Sequence, residues 1–91
     1  MKHVHVIVRG AVQGVGYRFA TRAQARRVGV TGWVRNRGDG SVEAFLEGEP
    51  GAVDALLAWM ERGPVGAAVD SVDKTLGDPI GATGFEICGT D

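Results

Sequence analysis

The chain opens on an alternation of apolar and polar residues. In HVHVIVRG, Val4, Val6 and Val8 fall on one side of a strand, and His3, His5 and Ile7 on the other. The period then changes. From Tyr17 to Val28 the spacing predicts a helix, with Phe19, Ala20, Ala23 and Val28 on one broad side and Arg22 and Arg26 away from it. Gly29 is a natural left-handed stop. VTGWVRN reads as a second strand, RGDG (37–40) as a tight hairpin turn, and SVEAFLE as a third strand. In that third strand Val42, Ala44 and Leu46 point one way, and Glu43, Phe45 and Glu47 the other. A second helix starts at Pro50, carries the stripe Val53, Leu56, Leu57 and Met60, and ends at Gly63 and Pro64. AAVDSVDKTL and GFEIC predict a fourth strand and a short last one, separated by breaks at Gly77 and at Gly81 to Gly84.

The order β-α-β-β-α-β defines a ferredoxin-like split β-α-β sandwich. This is an α+β fold, with one antiparallel sheet and two helices on one face. At 91 residues, a single domain spanning 1–91 is expected. The hydrophobic fraction of 44% suits an ordinary globule rather than a disordered chain.

Between the first strand and the first helix lies GAVQGVG, residues 10–16, a loop with three glycines. No Ser, Thr, Asp or Asn stands where a capping side chain would be expected. A helix start leaves amide N–H groups unpaired and carries partial positive charge, and glycines let those groups turn inward. Such a nest binds phosphate, and a side-chain cap would occupy the ligand's place. Arg18 adds planar donation to two phosphate oxygens.

The crossover brings a carboxamide to the same edge. Twelve residues of helix at ~1.5 Å each travel about 18 Å, and six of strand at ~3.3 Å each return about 20 Å. A right-handed crossover makes the first two strands parallel, so Asn36, ending the second, returns to the edge that carries the glycine loop and Arg18. Two better-known phosphate motifs are excluded. GVGYRF has Phe19 in place of the third glycine of G-x-G-x-x-G, and no G-K-[ST] is present.

Charge narrows the partners. Ten basic and eleven acidic residues give a net charge of −1, with no global pull toward nucleic acid or acidic lipid. Trp33, Phe45 and Trp59 fit packing better than base stacking, because no RNP-like segment accompanies them. One cysteine, Cys88, excludes an internal disulfide and reads as a small buried hydrophobe. His3 and His5 share a strand face, but no third ligand stands near them in the sequence, so no metal site is read. Arg9, Arg35 and Arg37 read as solvated surface, with a steering rim as the competing view. No apolar run reaches membrane-span length and no signal peptide is visible, so cytoplasm is the expected location.

GAVQGVGYR (10–18) and GWVRNRGDGSVEAFLEG (32–48) resemble the two signature stretches of acylphosphatases. The first matches the pattern G-x-V-Q-G-V-x-[FY]-R. The resemblance implies hydrolysis of a carboxyl–phosphate anhydride to a carboxylate and inorganic phosphate. It places the phosphate-binding arginine at Arg18 and the water-positioning asparagine at Asn36. The amide cradle falls at Gly14, Val15, Gly16, Tyr17 and Arg18. The substrate implied is a small-molecule acyl phosphate; the reaction, with a carboxylate leaving group, asks for no metal or cofactor, and a monomer is the default expectation. The alternative is a phosphate-binding regulatory module without turnover. Acylphosphatase-like domains also occur inside larger carbamoyl-transferring proteins, and the chain length argues against that setting.

Overall fold

The computed structural model describes residues 1–91. The elements are β1 (Lys2–Ala11), α1 (Tyr17–Val28), β2 (Thr31–Asn36), β3 (Val42–Gly48), α2 (Pro50–Arg62), β4 (Ala68–Leu76) and β5 (Phe85–Ile87). They form one sheet in the order β4-β1-β3-β2-β5. β1 pairs antiparallel with β3 and β4, and β2 antiparallel with β3. β1 and β2 are therefore parallel to each other across β3, as the crossover requires.

One expectation is corrected here. β5 pairs with β2 in parallel, so the sheet is mixed rather than antiparallel. The cause is the route of the chain. β4 ends beside Val4, at the end of the sheet where β1 starts. Residues 77–84 then lead to the start of β2, where Gly32 donates its N–H to the Gly84 carbonyl. β5 must leave from that end in the direction of β2.

The inner face follows the alternation. Val4, Val6 and Val8 of β1 and Val42, Ala44 and Leu46 of β3 are all at 2% exposure or less. Val53, Leu56, Leu57 and Met60 of α2 pack over them. Each Val, Leu or Met side chain among them contributes about 1.5–3 kcal/mol through burial. On α1 the buried residues are Tyr17, Thr21 and Ala25, whereas Phe19 is 58% exposed and Ala23 is also exposed. The inward stripe is i, i+4, i+8, and two of its members carry polar atoms. The Tyr17 hydroxyl donates to the Met60 carbonyl at 2.7 Å, which permits the ring to be buried.

The outer face is not left to solvent. The segment after β4 crosses its lower end. Gly77 donates its N–H to the His3 carbonyl and lies against the Phe45 ring, which is buried. The Glu47 carboxylate is buried and accepts the amides of Ile80 and Ala82 at 2.6 and 3.0 Å. Burial raises the Glu47 pKa, but these amides, that of Gly81, and His3 outweigh it and hold the carboxyl below its ordinary range. Higher on this face Glu43 accepts from Arg35 at 2.6 Å and lies 2.7 Å from His5.

Candidate active site

β1 ends at Ala11, and buried Val12 anchors the loop that follows. Gly14 and Gly16 adopt φ of 75° and 76°, and no other residue type in the chain has positive φ. A Cβ at either position would meet nothing within 4 Å. Glycine is therefore required by backbone conformation, not by space. Val15 between them has negative φ, so the sign alternates along the loop. That alternation turns successive amides toward one side.

Gly16 is the N-cap of α1 and offers no side-chain bond, and the first turn has no acidic residue. The amides of Gly14, Val15, Gly16, Tyr17 and Arg18 donate to no protein group. Arg18 is half-buried and has no ion-pair partner. Tyr17 contributes its amide alone. Its phenol points into the core, and burial pushes its pKa well up, so it is no proton donor to this edge.

Asn36 ends β2 two residues after Val34, on the same inward face. Its backbone carbonyl accepts the Asp91 N–H at 3.0 Å. Its side-chain oxygen Oδ1 is buried and has no partner; Thr21 Oγ1, on the inward face of α1, is the other such atom. A buried acceptor without a partner costs about 1–3 kcal/mol, so its retention needs a reason.

Gln13 joins the two halves of the site. Its side-chain amide donates to the Arg37 carbonyl at 2.8 Å and to the Ser41 carbonyl at 2.9 Å. The glycine loop is thereby tied to the residue after Asn36 and to the far end of the hairpin. The turn itself is closed by Gly40 N–H to the Arg37 carbonyl and by Asp39, whose carboxylate accepts from the Ser41 amide and hydroxyl. Gln13 and Asp91 are the positioning residues that the pattern of the chain did not reveal. Gln13 lies inside the first motif, but nothing local shows where its amide reaches.

The other candidates fall elsewhere. Arg9 pairs with Asp73, and Arg35 with Glu43, so neither forms a free rim. Arg37 takes part through its backbone. His5 faces Glu43, and His3 lies 3.9 Å from Glu47. No group of three or more His, Cys, Asp or Glu is arranged to hold a metal. Trp33 lies on the outer face beneath Arg35, 5.2 Å from ring centroid to guanidinium. Cys88 is exposed, contrary to the buried role expected for it, because it lies beyond β5, where only its backbone N–H pairs, with Val34.

What this edge offers is a row of unpaired amides, a free guanidinium and a buried acceptor, which together suit a tetrahedral anion and a water beside it. The acylphosphatase family model matches residues 4–87. The chain belongs to the acylphosphatase family. An acylphosphatase of Thermococcus kodakarensis is 46% identical over 91 residues, 98% of this chain and all of that one. Another, from a Synechococcus species, is 50% identical over 84 residues, 92% of this chain and 89% of the relative. The crystal structure of acylphosphatase from Bacillus subtilis superposes with a TM-score of 0.94 at 32% identity, covering 97% of this chain and 99% of that one. As an acylphosphatase, the protein is a hydrolase of acyl phosphates, small-molecule substrates. No helix is long and apolar enough to cross a membrane.

Proposed function

We propose that Arg18 and the amides of Gly14, Val15, Gly16, Tyr17 and Arg18 hold the phosphoryl group, and that Asn36 positions the attacking water. The observation that carries this reading is the row of unpaired amides from Gly14 to Arg18 beside the unpaired Arg18 guanidinium, on a loop that Gln13 ties to the residue after Asn36. Asn36 Oδ1 accepts a hydrogen bond from water and aims its lone pair at phosphorus, opposite the scissile P–O bond. The water oxygen bonds to phosphorus and the P–O bond to the acyl group breaks. The carboxylate leaves with the electron pair. Its conjugate acid has a pKa near ~4, so no general acid is required. The water's proton passes to a phosphoryl oxygen, because an amide is too weak a base to keep it. Arg18 and the cradle neutralise charge on the equatorial oxygens, which is most of what phosphoryl transfer asks of a protein.

The same reading makes the protein a single-domain, monomeric, cytoplasmic enzyme without metal or cofactor. The test is hydrolysis of benzoyl phosphate by purified protein. Competitive inhibition by inorganic phosphate and indifference to EDTA are expected. Phosphate binding by folded protein without hydrolysis would instead favour a regulatory module.

A further inference from the structure

The proposed chemistry gives the leaving group a direction. Asn36 lies on the sheet, so water approaches phosphorus from the sheet side, and in-line displacement sends the acyl oxygen the opposite way. That way leads to the solvent face of the first turn of α1. Tyr17 faces the sheet. Two residues on, at ~100° per residue, Phe19 stands roughly 200° round the helix, on the face turned away from the sheet. A helical side chain leans toward the N-terminus of its helix, so the Phe19 ring covers surface beside the mouth of the loop rather than further down the helix. The ring is 58% exposed. It is also held: the Arg18 guanidinium is 5.8 Å and the Arg22 guanidinium 5.4 Å from its centroid. Arg22 makes no ion pair with a carboxylate. A large apolar ring and a flat guanidinium thus stand together on the exposed side of the first turn of α1, against Arg18, where a polar residue would have been the ordinary surface choice.

We propose that the acyl part of the substrate lies on Phe19 beside Arg22, and that this platform favours flat, apolar acyl groups over small aliphatic ones. The inference rests on the phosphate seat proposed above. Stacking on the ring and on the guanidinium plane supplies the preference, and neither group takes part in bond breaking.

The test compares benzoyl phosphate with acetyl phosphate in the unmodified protein, Phe19→Ala and Phe19→Trp, with inorganic phosphate as competitor. In Phe19→Ala the benzoyl-to-acetyl ratio of kcat/KM is expected to fall about tenfold, through a higher KM for benzoyl phosphate. Phe19→Trp should keep or raise the ratio. The inhibition constant of inorganic phosphate should stay within about twofold in both variants, since the phosphate seat is untouched. An unchanged ratio in Phe19→Ala would overturn the inference. So would equal losses on both substrates with weaker phosphate inhibition, which would mean that Phe19 braces Arg18 instead. Failure of the phosphate seat itself has a different signature: Arg18→Ala would then leave phosphate inhibition intact.

Discussion

Two places in this molecule turn successive amides to one side around left-handed glycines, and they differ in what meets those amides. After β4, the amides of Ile80 and Ala82 flank Gly81, at φ 69°, and close on the Glu47 carboxylate. After β1, the amides of residues 14–18 surround Gly14 and Gly16, at φ 75° and 76°, and bond to no protein group. The first seat is satisfied from within and fastens a strap over the outer sheet face. The second, on the function proposed above, receives the phosphoryl group of the substrate. The start of α2 completes the comparison. It too lacks a side-chain cap, at Glu49, yet it has Pro50 and Gly51 where α1 has Tyr17 and Arg18, and no left-handed glycine precedes it. A missing cap therefore does not mark a ligand site by itself. What sets the start of α1 apart is the glycine pair, the arginine and the carboxamide that ends β2.

The substitutions that break this contrast are expected to differ in size. Arg18→Ala should have the largest effect, about a thousandfold in kcat/KM together with loss of phosphate inhibition, because it removes the only side-chain cation of the seat. Steady-state kinetics with inorganic phosphate as competitor reads both. Next come matched glycine substitutions. Gly16→Ala imposes a strained φ costing about 1–3 kcal/mol and turns the amides away, so turnover should fall about a hundredfold and the thermal midpoint should drop. Gly51→Ala in the first turn of α2 meets open space and no positive φ. It should leave turnover unchanged and raise stability by up to about 1 kcal/mol.

The smallest effect is confined to acid conditions. The Glu47 carboxyl is held below its ordinary pKa, so its contribution to stability is complete above the unfolded value of about 4.3 and drains away as pH falls through the folded value. Thermal melts of Glu47→Gln should show a shallower loss of stability below pH ~4 than the unmodified protein, at a lower plateau near neutrality. Equal pH slopes would show that the strap amides do not depend on the charge.

Much of this was legible in the chain because local rules and the fold agree. β1, β3 and α2 follow their periodicity, and the lengths of α1 and β2 bring Asn36 back to the loop. The misses have physical causes. Apolarity alone favours Phe19 over Tyr17 and Thr21 for the inward face of α1, although Tyr17 can be buried because Met60 offers a carbonyl. Alternation sent Phe45 and Glu47 outward correctly, but it cannot see that residues 77–82 later cover them. The parallel pairing of β5, the outer position of Cys88, the reach of Gln13 and the hold of Asp91 on Asn36 are all long-range outcomes. No local spacing encodes them.

The central claim is that Asn36 acts on the water and the loop acts on the phosphate. Asn36→Ala tests it most directly, measured as kcat on benzoyl phosphate beside the inhibition constant of inorganic phosphate. The account expects kcat to fall by roughly a hundredfold to a thousandfold while phosphate inhibition stays within about twofold. Retained turnover, or a loss of phosphate binding as large as the loss of turnover, would contradict it.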